Sequence, residues 1–227
     1  MIKLENVVLA SPEQMNFVIE GMRNPMNSWG KSDSHDCKQN SSFCMECECN
    51  KIGYRLGEND ISLMQRLSNA GTEHRKYMRM MPVYVRITAP LYWWKEFDTY
   101  KVGTVANSCS TMHKIAEKGF TLGDFSIEHL NDDRSAELSN VEWLEHLIHH
   151  LNRDRLRFIE TKDKQYWWQM IQLLPSSYNQ TRNVMLNYEV LANIYRQRKN
   201  HKLDEWREVC KWIENLPYSE LITGEEE

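Results

Sequence analysis

Residues 80–113 read MMPVYVRITAPLYWWKEFDTYKVGTVANSCSTMH, and the fold turns on how this stretch is divided. Residues 80–89 alternate: Val83, Val85 and Ile87 share one face, while Tyr84, Arg86 and Thr88 share the other, the period of a strand with one buried side. Pro90 then opens a helix, with Leu91, Trp94, Phe97 and Asp98 at helical spacing. From Glu96 to His113 the chain is polar, with Lys101, Thr104, Asn107, Ser108, Cys109, Ser110, Thr111 and His113 close together. Small hydroxyl groups beside a lysine present donors without bulk and can cradle an oxyanion or phosphate. Ser/Thr clusters also cap helices and close turns, and polarity alone favours that reading.

Outward from this centre, residues 2–9 read as a short strand. Ser11-Pro12-Glu13 starts a helix that runs to about Met22, broken by Pro25, Asn27 and Gly30. Residues 58–70 carry Ile61, Leu63, Met64 and Leu67 on one helical face and end at Gly71. The second half reads as helical over 136–159, 164–173, 178–197 and 203–215. The pattern is α+β: a small, mostly antiparallel sheet followed by long helices, with one domain over residues 1–227. No Gly-x-Gly-x-x-Gly or phosphate loop is present, which disfavours the common dinucleotide and nucleoside-triphosphate folds.

Composition narrows the function. The chain has 227 residues, 41% hydrophobic and 26% charged, with a formal net charge of −4. That length buries a core without staples. Mild acidity argues against a nucleic-acid partner, and no apolar run reaches the roughly 18 residues of a membrane span. The start, MIKLENVVLASPEQ, has neither a basic region nor a long apolar one, so the expectation is a cytoplasmic protein with reduced cysteines. Four of the six cysteines fall in the polar insertion of residues 31–53. Cys37, Cys44, Cys47 and Cys49 are soft ligands in a short loop and can hold a tetrahedral Zn²⁺, although the single residue between Cys47 and Cys49 is tight. Free thiols in a disordered loop, or a redox-labile pair, are the alternatives. His146 and His150, with His149 between, share a helix face but lack the following glutamate of a metalloprotease motif, and read as a solvated face.

Residues 71–115 resemble the signature region of the flavin-dependent thymidylate synthases. That family has a strand, an Ala-Pro, a helix and then the motif Arg-His-Arg-x-x-Ser-x-Asn-Glu-x-Ser-x-Arg-Tyr. Ala89-Pro90 matches its Ala-Pro, and the spacing runs ungapped to Thr99-Tyr100-Lys101 and on to Thr111-Met112. A second block agrees in order: Leu174-Pro175, Asn187 with Leu191, Arg198, and Glu205-Trp206. His74 falls near the family's flavin-side histidine, and Ser28-Trp29 near the early loop that borders its active site.

The resemblance implies FAD as cofactor, a pyrimidine nucleotide (dUMP-like) as substrate for C5 alkylation, and a homo-oligomer, a tetramer in the family. It places His74, Thr99, Tyr100, Lys101 and Asn187 on the cofactor. It places Glu96, Asn107, Ser108, Thr111 and Arg198 on the substrate, with Cys109, Ser110 and Tyr100 as catalytic candidates. Cys109 is a candidate nucleophile with His113 one helical turn on, although a lone cysteine is more often buried and inert. Trp93 and Trp94 offer either ring-stacking surfaces or core.

The departures are concentrated in charge. The motif's arginines become Thr99, Lys101 and Thr111, its histidine Tyr100, its Asn-Glu Ala106-Asn107, and its later serine Cys109. The arginine after Asn187 becomes Glu189, which would repel a phosphate unless another group compensates. A fold kept for nucleotide binding or regulation, without the chemistry, is the competing expectation.

Overall fold

The computed structural model describes residues 2–37, 53–133 and 137–224. Its strands are β1 (Lys3–Leu9), β2 (His35–Asp36), β3 (Tyr54–Arg55), β4 (Pro82–Pro90), β5 (Val105–Ser108) and β6 (Asn179–Asn187). Its helices are α1 (Pro12–Arg23), α2 (Glu58–Asn69), α3 (Lys76–Arg79), α4 (Leu91–Phe97), α5 (Asn140–Thr161), α6 (Lys164–Leu173), α7 (Tyr188–Arg198), α8 (Asp204–Glu214) and α9 (Glu220–Thr223). A small antiparallel sheet has the order β1-β4-β6-β5, and β2 pairs antiparallel with β3. This is the α+β class expected from the sequence.

The chain divides into two compact units. The first holds residues 1–3, 87–99 and 107–182; the second holds residues 4–86, 100–106 and 183–227.

Local chemistry sets the starts of the helices α1, α5, α6 and α7, each capped by a side chain. Ser11 and Gln14 form a capping box: the Gln14 N–H donates to Ser11 Oγ at 3.3 Å and the Ser11 N–H to Gln14 Oε1 at 2.8 Å, with Pro12 in the first turn. Ser139 and Glu142 repeat the device at α5, which ends on Lys162 in the left-handed region at φ 58°. On β4, Val83, Val85 and Ile87 are buried, as the alternation requires.

The expected helix over 178–197 is instead a strand followed by a helix. Gln180, Val184 and Leu186 are buried at even positions along β6. Asn187 then stops the strand by accepting the Val190 N–H on its own Oδ1 at 3.0 Å, which caps α7. The apolar residues of the strand and the helix together mimic one helical stripe.

In the first unit, α5 and α6 close a core of Leu144, Ile148, Leu151 and Met170 over Phe120 and Phe125. His146, His149 and His150 are exposed on α5. In the second unit Met15, Met64, Met78, Leu191 and Trp206 are buried. Tyrosine hydroxyls there bind backbone: Tyr77 donates to Met64 O at 2.7 Å and Tyr218 to Tyr54 O at 2.6 Å.

Candidate functional site

The first unit contains an open cleft of about 600 Å³, within the range of small-molecule sites. Cys109, Ser110 and Thr111 of the signature segment line it, together with Lys118, Asp124 and Tyr178. The cysteine is fixed through its backbone: its N–H donates to Thr181 O at 2.9 Å, and its carbonyl accepts Gln180 Nε2 at 2.8 Å. Its thiol is free and the residue exposed. The Ser110 hydroxyl accepts the His113 N–H at 2.9 Å and the Met112 N–H at 3.3 Å, so it closes a turn while keeping its own proton to donate.

In the same lining, Lys118 Nζ donates to Asp124 Oδ1 at 2.5 Å. Asp124 also accepts the Thr121 N–H at 2.8 Å and the Thr121 hydroxyl at 2.9 Å on Oδ2. Burial works to raise the Asp124 carboxyl, but the Lys118 ammonium and the Thr121 donors outweigh it and hold the group below the carboxylate range. The same pairing raises Lys118. Burial raises the Tyr178 phenol, as does the nearby Asp124 carboxylate. Its ring packs edge-on to Phe120 and Phe125.

The other first-unit candidates lie around α4 and β5. Thr99 donates its hydroxyl to Glu96 O at 2.7 Å, a helix-end cap. Asn107 and Ser108 are exposed. Trp93 and Trp94 are both in the core, so neither is a stacking surface. Trp94 Nε1 donates to Gln180 O at 2.9 Å. The Arg182 guanidinium lies 4.1 Å from the Trp94 ring centroid and donates to Asp98 at 2.7 Å.

In the second unit, Tyr100 and Arg198 meet. Arg198 Nε donates to the Tyr100 hydroxyl at 2.9 Å, and that hydroxyl donates to Gln197 Oε1 at 2.9 Å. The Arg198 guanidinium also lies 4.7 Å from the centroid of the buried Trp206. Gly103, at φ 75°, seats this end of the signature segment against the first turn of α7; a Cβ there would stand 2.9 Å from Asn187 Nδ2 and 3.1 Å from Val190. Capping occupies the Asn187 oxygen and leaves its Nδ2 as a donor. Glu189, on the same turn, forms a two-pronged ion pair with Arg79, through Nε to Oε2 and through Nη2 to Oε1 at 3.1 Å. Its charge is therefore compensated within the protein.

The donors of this unit fit a phosphate-bearing flavin. Thr104 Oγ1 is buried with no protein partner, Lys101 is exposed, and the Asn187 amide keeps its donor. His74 is exposed, 3.9 Å from Glu73.

Of the cysteine cluster, Cys37 is half-buried and donates its N–H to Gly53 O at 2.8 Å. Cys44, Cys47 and Cys49 lie outside the described residues. Among the described residues no group of three or more His, Cys, Asp or Glu can hold a metal ion, and no helix is long and apolar enough to cross a membrane.

Lys118, Asp124, Tyr178 and Arg79 carried no signal in the sequence. Each is an ordinary charged or aromatic residue in an unremarkable segment, and only long-range contact gives it a place.

No protein-family model and no curated protein sequence matches the chain. Several solved structures do match it. A flavin-dependent thymidylate synthase from Helicobacter pylori, complexed with FAD and dUMP, aligns with TM-score 0.63 at 17% identity, over 98% of this chain and 97% of that one. A second structure of that enzyme, with FAD and dUMP, gives TM-score 0.64 at 16% identity, over 98% of each chain. A UMP/dUMP methylase from Streptomyces cacaoi, bound with 5-bromo-dUMP, gives TM-score 0.57 at 12% identity, over 98% of this chain and 95% of that one. The chain therefore carries the fold of the flavin-dependent thymidylate synthases, on a sequence that shares 17% of its residues or fewer with these examples.

Proposed function

We propose that the protein binds FAD and a pyrimidine deoxynucleotide of the dUMP class and alkylates the base at C5. One observation carries the reading: the fold agrees over nearly the whole length with proteins whose structures hold FAD and dUMP, and with a UMP/dUMP methylase. In this reading Lys101, Thr104 and Asn187 hold the flavin, Lys101 as a point charge on phosphate and the other two as hydrogen-bond partners. Bound FAD supplies hydride chemistry. Glu189 does not oppose a phosphate, because Arg79 answers its charge. Tyr100 stands at the motif histidine, and Cys109 and Ser110 border the cleft where the base would react.

The protein acts as a homo-oligomer in the same reading. Val102 (90% exposed) and Val105 (61%) leave apolar surface on the signature segment for a second copy to cover.

Purified protein should show a flavin absorption spectrum or a rise in melting temperature with FAD, and a further rise with dUMP. No response to FAD, dUMP, dCMP or dTMP overturns the reading.

A second reading, binding without methyl transfer, is favoured by the engagement of Arg198 with Tyr100 and Trp206 inside the protein. Complementation of a thymidine auxotroph separates the two. Growth supports alkylation, and flavin binding without growth or dTMP formation supports the second reading.

A further inference from the structure

The motif positions from Thr99 to Met112 hold no arginine in this chain, yet a phosphomonoester needs a cation. The first-unit cleft is lined by two lysines, Lys3 and Lys118, and by the carboxylates Asp124 and Glu128, and of these lysines Lys118 is the one anchored by an ion pair to Asp124. Lys118 lines the cleft with its side chain 72% exposed, and its ammonium is paired with Asp124, which lines the same cleft. Asp124 is itself held by the Thr121 donors and is 14% exposed, a rigid anchor. An ammonium has three donors, and Asp124 takes one. Ser110 and Thr111, both hydroxyl-bearing, line the same cleft, as does Tyr178.

We infer that Lys118, positioned by Asp124, holds the phosphate of a nucleoside monophosphate in the first-unit cleft, with the Ser110 and Thr111 hydroxyls completing the cradle. The inference rests on the reading of the chain as a pyrimidine-nucleotide binder and deepens it. It assigns the anion to a lysine outside the signature motif. The Lys118–Asp124 pair keeps the ammonium in place, so little side-chain entropy remains to be lost on binding. The ligand is a phosphomonoester rather than the pyrophosphate of a dinucleotide, because one anchored ammonium with two hydroxyls matches a single phosphate group.

The test uses the full chain and two readouts: calorimetric affinity for dUMP and for deoxyuridine, and alkylation of Cys109 by iodoacetamide followed peptide by peptide. dUMP is expected to slow Cys109 alkylation at least fivefold. Lys118→Gln is expected to weaken dUMP tenfold or more with deoxyuridine unchanged, and Lys118→Arg to restore most of the affinity. Lys118 is exposed, so its variants should fold, and circular dichroism checks that. Equal dUMP affinity in Lys118→Gln and the native protein overturns this inference while the nucleotide reading stands. So does protection of Cys109 by FAD but not by dUMP. Absence of any binding of FAD or dUMP to the native protein overturns the nucleotide reading, and this inference with it.

Discussion

Arg79 and Glu189, 110 residues apart in sequence, form a two-pronged ion pair on the first turn of α7. Glu189 is 9% exposed and Arg79 half-exposed. A carboxylate at a helix N-terminus is favoured by the helix dipole, and the guanidinium satisfies both of its oxygens. The acidic residue that the sequence sets against a phosphate is thus an internal partner.

Arg79→Ala should cost about 1 kcal/mol, because the partner left behind is largely buried while the arginine is screened by solvent. The expected fall in melting temperature is about 2–4 °C for a chain of this size. Adding Glu189→Gln to that variant should recover part of the loss; no recovery in a thermal melt counts against the pairing as the cause.

A stronger pair lies at Arg23 and Asp60, whose side chains are 4% and 0% exposed, with Arg23 Nε donating to Asp60 Oδ1 at 2.6 Å. Burial tends to raise the Asp60 carboxyl, but donors from Ser34, Ser32 and Arg23 prevail and hold it below the usual aspartate value. A carboxyl depressed on folding contributes stability that is complete above its unfolded value and is lost as pH falls through the folded one. Native stability from urea melts should therefore decline below about pH 4. Asp60→Asn should be destabilised at pH 7, by about 3–5 kcal/mol if the arginine is left uncompensated. It should also lose less than the native protein between about pH 5 and pH 3. Parallel declines would refute the assignment.

Two cysteines should differ in reactivity. Cys109 is exposed, whereas Cys210 is buried and its thiol is pushed up to about 11 by desolvation and the nearby Glu214. At pH 8 roughly one Cys210 in a thousand is a thiolate. Native alkylation should label Cys109 at least tenfold faster, and equal rates by peptide mass spectrometry would contradict the packing.

Asn187 combines a structural and a proposed flavin role, and two substitutions separate them. Asn187→Ala removes the cap of α7 and should cost about 0.5–2 kcal/mol. Asn187→Asp keeps the capping oxygen and replaces the amide donor with a second acceptor, so stability should hold while FAD affinity falls several-fold. Unchanged FAD affinity in a fluorescence titration would leave Asn187 as a cap alone.

The sequence by itself determines the local frame. Ser11, Pro12 and Gln14 start α1, Ser139 and Glu142 start α5, and Val83, Val85 and Ile87 commit β4 to one buried face, because caps and periodicity act over a few residues. The strand, Pro90, helix and polar segment were legible in the same way and pointed to the fold that the structural comparisons bear out. The junction at Asn187 was not legible: Val184, Tyr188, Leu191 and Tyr195 recur at i, i+4, i+7 and i+11 and satisfy a helical stripe, although the structure makes a strand followed by a helix. Only the pairing of β6, seen in the bond from the Cys109 N–H to Thr181 O, decides between them. Tertiary structure also decided which polar residues meet. Lys118, Asp124, Tyr178 and Cys109 converge on one cleft, and Trp93 and Trp94 turn inward. Charge pairing and burial depend on distances across the fold, and residues far apart in sequence carry no local trace of the partner each will find.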